Sequence, residues 1–123
     1  MKTIVLDTNF LLLPDQYGID VFSELERLVP EGRLATLSNV ISELEAISRS
    51  NSKDGSAAKV ALMLLEKKNV EVIPAEGLVD DAIVEYAAKS GAIIATNDKG
   101  LKNRLKGRVG LISMKGKNHL DFI

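Results

Sequence analysis

The chain alternates short apolar runs with longer segments of helical periodicity. Five runs are continuous rather than alternating and rich in Val and Ile: Thr3–Leu6, Leu34–Leu37, Val70–Ile73, Ala92–Ala95 and Val109–Ile112. Strands that are buried on both faces of a parallel sheet have this pattern. The segments between them predict helices at Asp20–Val29, Asn39–Ile47, Ala57–Lys67, Asp80–Lys89 and Lys99–Lys106. This alternation with short links predicts an α/β domain with a central parallel sheet.

Residues at the predicted helix ends agree with these assignments. Ser38 or Asn39 can cap the second helix, and Gly91 follows the fourth where a C-terminal glycine is expected. The polar segment 48–56 predicts a mobile loop between two helices. No repeat or linker divides the sequence, so residues 1–123 are expected to form a single domain.

Composition limits the kinds of chemistry available. With 123 residues and 46% hydrophobic content, the chain is large enough to fold around a core of its own. It has no cysteine, which excludes disulfides, thiolate zinc sites and a cysteine nucleophile, so a metal would be held by oxygen ligands. No signal-peptide pattern or membrane-length apolar segment is present, and we expect a cytoplasmic protein without a membrane partner.

Charge is unevenly distributed although the formal net charge is only −1. Residues 1–98 contain 16 acidic and 9 basic residues, whereas residues 99–119 contain seven basic residues and no acidic one. The basic segment begins with Lys99, Lys102, Arg104 and Lys106. Such a run can be a solvated face or a surface for a phosphate backbone, and the second interpretation predicts RNA binding that weakens as salt rises.

Two of the apolar runs end in carboxylates and their polar neighbours. The first run is followed by Asp7, Thr8 and Asn9, and the fourth by Thr96, Asn97 and Asp98. In an open parallel sheet, ligands bind outside the carboxyl ends of the strands, so these side chains are expected at one edge. The alternative is local: Asp7 can close a turn or cap a helix, and Asp98 can cap the helix that follows it.

Two further acids lie at helix positions where apolar residues are expected. Glu43 shares a stripe with Val40, and Asp80 shares one with Ile83, while Asp81 lies less centrally. Carboxylates facing a core cost roughly several kcal/mol each unless they are paired or coordinated. The alternatives are that Glu43 reaches solvent from the edge of its stripe and that Asp80 only complements the helix dipole.

These acids together predict a metal site. Mutual repulsion, which a cation relieves, is expected if four carboxylates converge, namely Asp7, Glu43, Asp80 and Asp98. Oxygen ligands without His or Cys suit Mg²⁺ or Mn²⁺ rather than zinc. Four neighbours are expected to orient the carboxylates by hydrogen bonds: Thr8, Asn9, Thr96 and Asn97. An acidic metal site beside a basic segment predicts metal-assisted hydrolysis of a phosphodiester.

Other acid-bearing α/β sites fit the sequence less well. A haloacid-type phosphatase needs Asp-x-Asp after its first strand, and Asn9 occupies the second position here. A phospho-receiver domain needs an Asp directly after strand three, where Ile73 is followed by PAEGLVDD. Glycine-rich phosphate loops are absent, and His119 has no partner at ligand spacing, so we expect it to be structural or solvated.

Four motifs occur in the order and spacing of the PIN domain, a family of Mg²⁺- or Mn²⁺-dependent nucleases: VLDTN, VISELEAI, DDAIVEYA and IIATNDKGLKNRLK. The chain resembles this family over essentially its whole length. The resemblance implies one PIN-like nuclease domain over residues 1–123, built as a three-layer α/β/α sandwich with a mostly parallel five-stranded sheet. TNDKGLKNRLK and GLISMKGKN look more like archaeal and eukaryotic PIN proteins of ribosomal RNA processing than like typical toxins.

The resemblance also implies roles for individual residues. Metal binding and catalysis fall to Asp7, Glu43, Asp80 and Asp98, and Asp81 can share or replace the role of Asp80. The implied partners are single-stranded or structured RNA, a second copy of the chain in a homodimer, and a regulatory protein.

Three functions are open at this point. The first is an endoribonuclease of RNA processing or decay, the second is the ribonuclease toxin of a toxin–antitoxin pair, and the third is a non-catalytic RNA- or protein-binding scaffold. If the nuclease hypothesis holds, neutralising Lys102 and Arg104 should weaken RNA binding and leave metal binding intact.

Overall fold

The computed structural model describes residues 2–123, and this part of the chain forms six strands and seven helices. The strands are β1 (Thr3–Leu6), β2 (Arg33–Leu37), β3 (Glu71–Ile73), β4 (Ile93–Ala95), β5 (Leu111–Lys115) and β6 (His119–Phe122). The helices are α1 (Thr8–Leu11), α2 (Leu13–Tyr17), α3 (Val21–Leu28), α4 (Ser38–Ser48), α5 (Lys53–Lys67), α6 (Val79–Ser90) and α7 (Lys99–Leu105).

The strands form one sheet in the order β3-β2-β1-β4-β5-β6. All neighbours are parallel except β5 and β6, which are antiparallel. In the central strand β1, the consecutive residues Ile4, Val5 and Leu6 are all fully buried. Because consecutive strand residues point to opposite faces, both faces of the sheet are covered by helices. The predicted α/β/α architecture is therefore confirmed.

The predicted number of strands is wrong by one. All five predicted strands form, with ends shifted by up to three residues, and β6 adds a sixth at the edge of the sheet. Only Leu120 of its four residues is buried, so the segment HLDF has no continuous apolar run to mark it as a strand. His119 is exposed in this strand, which agrees with the expectation of a solvated histidine.

The helix predictions differ from the structure in their ends. The segment predicted as a loop over residues 48–56 is helical from Lys53 onward, since the Ser52 hydroxyl caps α5 by accepting from the Gly55 N–H at 3.2 Å. An added Cβ at Gly55 would lie 2.1 Å from the Ser50 carbonyl oxygen, so this turn closes only around glycine. Gly91 ends α6 at φ 70°, as predicted.

The predicted cap of α4 is also wrong. Neither Ser38 nor Asn39 caps the helix, because Leu37 holds the N-cap position without a side-chain bond. The Ser38 hydroxyl instead accepts from the Ala75 N–H at 2.9 Å and donates to the Ala75 carbonyl at 3.0 Å. It thereby ties the start of α4 to the segment that leads into α6, and both helices border the carboxyl edge of the sheet. No helix within residues 2–123 is long and apolar enough to cross a membrane.

Candidate active site

A cleft of about 430 Å³ opens beyond the carboxyl ends of β1 and β4. These two strands are neighbours at the centre of the sheet, and the Asp7 N–H donates to the Ala95 carbonyl at 3.0 Å, so their ends are held together. All four predicted metal-binding acids line the cleft: Asp7, Glu43, Asp80 and Asp98. Asp81 and Arg104 line it as well. The sequence elements singled out above thus meet at one edge of the sheet.

Asp7 lies at the floor of this cleft, and only 3% of its surface is exposed. One carboxylate oxygen, Oδ1, accepts from the Thr8 N–H at 2.8 Å, and the other, Oδ2, accepts from the Thr96 hydroxyl at 2.6 Å. Asp7 is also the N-cap residue of α1. The cap interpretation from the sequence therefore holds, and the same side chain still faces the cleft.

The environment of Asp7 disfavours its charged form. Burial raises the pKa of its carboxyl to about 6, and the bonds from Thr96 and the Thr8 N–H oppose that rise. The negative charges of Asp80 and Asp98 raise it further. A buried carboxylate among other acids is a group that binding of a cation would stabilise in its ionised state.

Thr96 and Asn97 connect the ends of β1, β4 and β5. Besides its bond to Asp7, the Thr96 hydroxyl accepts from the Asp98 N–H at 3.0 Å. The Asn9 side-chain oxygen accepts from the Asn97 N–H at 3.3 Å. The Asn97 side-chain oxygen accepts from the Ser113 hydroxyl at 2.7 Å and from the Met114 N–H at 2.9 Å. This network fixes the loop between β4 and α7, which carries Asp98 into the cleft.

Asp98 is the N-cap residue of α7. Its Oδ2 atom accepts from the Leu101 N–H at 2.7 Å, which satisfies one of the free donors at the start of the helix. Oδ1 makes no hydrogen bond within residues 2–123. The capping bond therefore uses one oxygen of the Asp98 carboxylate and leaves the other available to the cleft, whereas both oxygens of Asp7 accept hydrogen bonds.

Asp80 does not lie on a buried stripe as the helical pattern predicted. It is exposed in the first turn of α6, at the rim of the cleft, while Ile83 one turn later is fully buried. Partial burial of its carboxyl and then the charge of Asp98 raise the Asp80 pKa, and the charge of Arg104 opposes the rise.

Glu43 also differs from its prediction. It follows the buried Val40 by three residues and precedes the buried Leu44, yet its own side chain is exposed on the part of α4 that borders the cleft. The alternative reading, that Glu43 reaches solvent from the edge of its stripe, is the one that the structure supports. Its carboxylate nevertheless opens onto the same cleft as Asp7.

Asp81 and Arg104 form an ion pair across the cleft wall. The distance from Arg104 Nη1 to Asp81 Oδ1 is 2.9 Å, and 46% and 63% of the two side chains are exposed. This pair joins α7 to α6. The structure describes all four predicted RNA-binding residues. Arg104 lines the cleft, whereas the other three lie outside it, namely Lys99, Lys102 and Lys106.

The donor set fits a hard divalent cation. The side chains facing the cleft offer carboxylate, amide and hydroxyl oxygens, which suit Mg²⁺ or Mn²⁺. The Thr8 hydroxyl, next to Asp7, is buried and has no hydrogen-bond partner within residues 2–123, which leaves an oxygen in the site without a role in the fold. Within the same residues, no three acidic or His side chains are gathered at ligand distance of a common point.

The sequence matches the PIN-like domain family over residues 4–117. The chain belongs to the PIN-like domain family. The family membership predicted from the four sequence motifs is thus confirmed, and the acidic cleft belongs to a PIN-like domain.

The relatives of this PIN-like domain include two proteins with named roles. Ribonuclease VapC9 of Archaeoglobus fulgidus is 37% identical over 109 residues, which span 88% of this chain and 78% of the relative. The rRNA-processing protein fcf1 of Schizosaccharomyces pombe is 28% identical over 121 residues, which span 94% of this chain. The match covers only 59% of fcf1, so the chain is about three fifths of that relative's length.

Solved structures share the fold. The PIN domain endonuclease Utp24 matches with a TM-score of 0.82 at 24% identity, over 98% of this chain and 90% of that one. VapBC2 from Rickettsia felis, solved with a DNA fragment from its promoter, matches with a TM-score of 0.66 at 20% identity, over 92% and 99%. The two named relatives are thus one ribonuclease, VapC9, and one rRNA-processing protein, fcf1, and VapC9 has the higher sequence identity of the two.

Sequence reasoning missed two features of this PIN-like site. The first is Ser113, whose hydroxyl anchors Asn97 and thereby the loop that carries Asp98. A polar residue inside the apolar run LISM was the available signal, because a buried hydroxyl needs a partner. The second is the pairing of Arg104 with Asp81, for which the separation of 23 positions along the chain gives no sequence signal.

Proposed function

We propose that this PIN-like domain is a metal-dependent endoribonuclease that hydrolyses RNA phosphodiester bonds at the cleft beyond β1 and β4. The observation that carries the proposal is the buried carboxylate of Asp7 at the floor of a cleft lined by three more predicted ligand acids. Burial raises the Asp7 pKa to about 6, and the buried Thr8 hydroxyl beside it has no partner within residues 2–123, so a bound cation would stabilise both groups. Membership of the family supports the same chemistry.

In this proposal, four carboxylates hold Mg²⁺ or Mn²⁺: Asp7, Glu43, Asp80 and Asp98. Glu43 and Asp80 are exposed and can change rotamer, whereas Asp7 and Asp98 are fixed by their bonds to Thr96 and Leu101. When bound, such an ion supplies a Lewis acid that stabilises negative charge on phosphoryl oxygens and makes water more nucleophilic. Asp81 is an alternative to Asp80 in the ligand set.

The chemistry is a hydrolysis in which the atoms balance simply. The oxygen of a water molecule forms a bond to phosphorus, and the bond from phosphorus to one ester oxygen breaks. One RNA product then ends in a phosphate monoester, and the other ends in a hydroxyl that has received a proton. The chain's contribution is to position the carboxylates in advance, so that little reorganisation is needed during the reaction.

The basic segment completes the substrate surface. Lys99, Lys102 and Arg104 lie on α7, directly after Asp98, and Lys106 follows the end of that helix. Cations placed there hold the RNA backbone beside the acids, which would otherwise repel it. The biological role is RNA processing or decay, with VapC-type toxin activity as the alternative that the identity to Ribonuclease VapC9 favours.

The deciding experiment is cleavage of labelled single-stranded and structured RNAs by the purified protein in Mn²⁺, in Mg²⁺ and in EDTA. We expect cutting with a divalent ion only, reduced by at least ~10³-fold in Asp7→Asn. Asp15→Asn is the matched control, because Asp15 is an exposed acid of α2 outside the cleft. If no RNA is cut under any of these conditions, or if Asp7→Asn cuts normally, the scaffold alternative stands instead.

A further inference from the structure

Asp80 and Asp81 are neighbours on α6, but they face different partners. Both side chains line the cleft, but Asp80 forms no ion pair within residues 2–123. Asp81 instead contacts the Arg104 guanidinium at 2.9 Å. Successive residues of a helix point about 100° apart, so the two carboxylates leave α6 in different directions.

The Asp81–Arg104 ion pair is expected to contribute little to the stability of the fold. Both side chains are about half exposed, and ion pairs in such positions contribute little to folding. The pair has a clear geometric consequence, however, because it holds the Arg104 side chain in the wall of the cleft. With Nη1 engaged by Asp81, the Nη2 and Nε groups of Arg104 remain as donors.

An arginine at this position has a specific use in phosphodiester chemistry. A cleft lined by five acids repels a phosphate, and a planar guanidinium can bind two phosphate oxygens at once. Negative charge on those oxygens grows as the bond to the attacking water forms, so a fixed cation there favours the transition state. Lys99, Lys102 and Lys106 lie outside the cleft and cannot make this contact without moving.

We propose that Arg104 binds the phosphodiester undergoing cleavage and that Asp81 positions Arg104 instead of binding the metal. This inference rests on the proposed function, and it divides the tandem acids of α6 into a metal ligand, Asp80, and a positioning residue, Asp81. It also distinguishes Arg104 from the other cations of the basic segment, which bind the RNA backbone at phosphates other than the one that reacts.

The first test is metal binding, which requires no cleavage. Mn²⁺ affinity, measured by titration calorimetry in the absence of RNA, should fall at least about tenfold in Asp80→Asn. In Asp81→Asn it should stay within about twofold of the wild type, because that change removes no ligand. An equal loss of Mn²⁺ affinity in both variants would show that Asp81 is a metal ligand and would overturn the inference.

The second test is kinetic and uses a double-mutant cycle. Arg104→Gln should lower kcat for RNA cleavage by about 10²-fold with little change in Mn²⁺ affinity, and Arg104→Lys should recover only part of the loss. Asp81→Asn should also lower kcat, and the double variant should be no worse than Arg104→Gln alone, since Asp81 acts through Arg104. Losses that multiply in the double variant would contradict the positioning role.

The matched control is the ion pair of Arg33 and Glu71, which joins β2 to β3 at 3.0 Å with 61% and 49% of the side chains exposed. Arg33→Gln and Glu71→Gln should leave both Mn²⁺ affinity and kcat unchanged. If the wild type cuts no RNA at all, the proposed function fails, and the inference is then decided by binding alone. RNA affinity in EDTA should fall several-fold in Arg104→Gln and not in Arg33→Gln, and equal affinities would refute it.

Discussion

The two polar regions at the border of the sheet are organised in opposite ways. At the outer edge of β6, the Leu120 N–H donates to Glu24 Oε1 at 3.0 Å, and the Leu120 carbonyl accepts from Arg27 Nη2 at 2.9 Å. Glu24 and Arg27 also bond each other at 3.1 Å, so two side chains of α3 take the place of a neighbouring strand. This arrangement satisfies an edge that would otherwise be open to other chains.

The carboxyl edge of β1 and β4 is left incomplete by comparison. Asp7 is buried with a raised pKa, the Thr8 hydroxyl has no partner within residues 2–123, and five acids share one cleft. Each of these features lowers stability, and each could be removed by an apolar or amide residue of similar size. Polar groups at β6 are thus satisfied within the fold, whereas those at the cleft keep bonding capacity that the proposed metal site would use.

The largest effect on stability should come from the titration of Asp7. Its pKa is about 6 in the folded protein, against an ordinary value of 3.8 in the unfolded chain, so the folded state binds the proton more tightly. The stabilising contribution of the protonated form is fully present below about pH 4 and is lost as pH rises through about 6. That loss is on the order of 3 kcal/mol in the free energy of unfolding.

The measurement is urea unfolding in EDTA between pH 4 and 8, for the wild type and for Asp7→Asn. Subtracting the two curves removes the titration of all other groups. The wild type should lose stability relative to the variant as pH rises across this range. A difference that does not change with pH would contradict the raised pKa.

Replacing Thr96 should connect stability with the site. Thr96→Val removes the hydroxyl that donates to Asp7 and accepts from the Asp98 N–H, at a cost of about 1–3 kcal/mol in the free energy of unfolding. The Asp7 pKa should rise further, since the Thr96 bond is one of the interactions that lower it. Mn²⁺ affinity and RNA cleavage should fall as a result.

Thr36→Val is the control for that variant. Thr36 is equally buried and donates to the Leu6 carbonyl at 2.7 Å, but it does not line the cleft. It should lose similar stability and keep its Mn²⁺ affinity, measured by calorimetry. If the two threonine variants lose Mn²⁺ affinity equally, the Thr96 hydroxyl has no special role at the site.

Variants at the edge of β6 should lose stability without losing RNA cleavage, in contrast to Thr96→Val. Glu24→Gln and Arg27→Gln should lower the unfolding temperature and favour self-association, because the Leu120 backbone groups are then exposed to other chains. RNA cleavage at a temperature well below the unfolding transition should not change. Analytical ultracentrifugation and cleavage assays on the same samples check both statements, and a selective loss of cleavage would link this edge to the site.

The smallest effects are expected for the cations outside the cleft. Lys102→Gln and Lys106→Gln should each weaken RNA binding at low salt and reduce the slope of log affinity against log salt by about one. Lys59→Gln on α5 is the control, since Lys59 is exposed and lies outside the basic segment. Salt titrations followed by fluorescence anisotropy provide the slopes, and identical slopes in all three variants would mean that the basic segment is a solvated face.

The sequence predicted which residues meet at the cleft better than it predicted the orientation of their side chains. Asp7 and Asp98 follow strands whose apolar runs are continuous, and the rule that ligands bind beyond strand carboxyl ends placed both correctly at one edge. Glu43 and Asp80 were also placed at that edge, but both are exposed where helical periodicity predicted burial. Helical periodicity identifies which side of a helix faces the core, but it does not show how completely each turn on that side is covered.

The missed elements have a similar cause. Strand β6 has a single buried residue, Leu120, and depends on Glu24 and Arg27 more than 90 positions earlier in the chain. The helices α1 and α2 lie in the apolar segment NFLLLPDQY, for which the sequence pattern predicts no element. For β6, contacts with residues distant along the chain decide the local structure, and such contacts leave no periodic pattern in the sequence.

The most direct test of the account is urea unfolding at pH 7.5 of the wild type and Asp7→Asn, in EDTA and in saturating Mn²⁺. The amide can still accept from the Thr8 N–H, so we expect Asp7→Asn to be the more stable protein in EDTA. Mn²⁺ should stabilise the wild type and not the variant, which reduces or reverses that difference. If Asp7→Asn is less stable in EDTA and gains as much from Mn²⁺ as the wild type, Asp7 is a residue of the fold and not of a metal site.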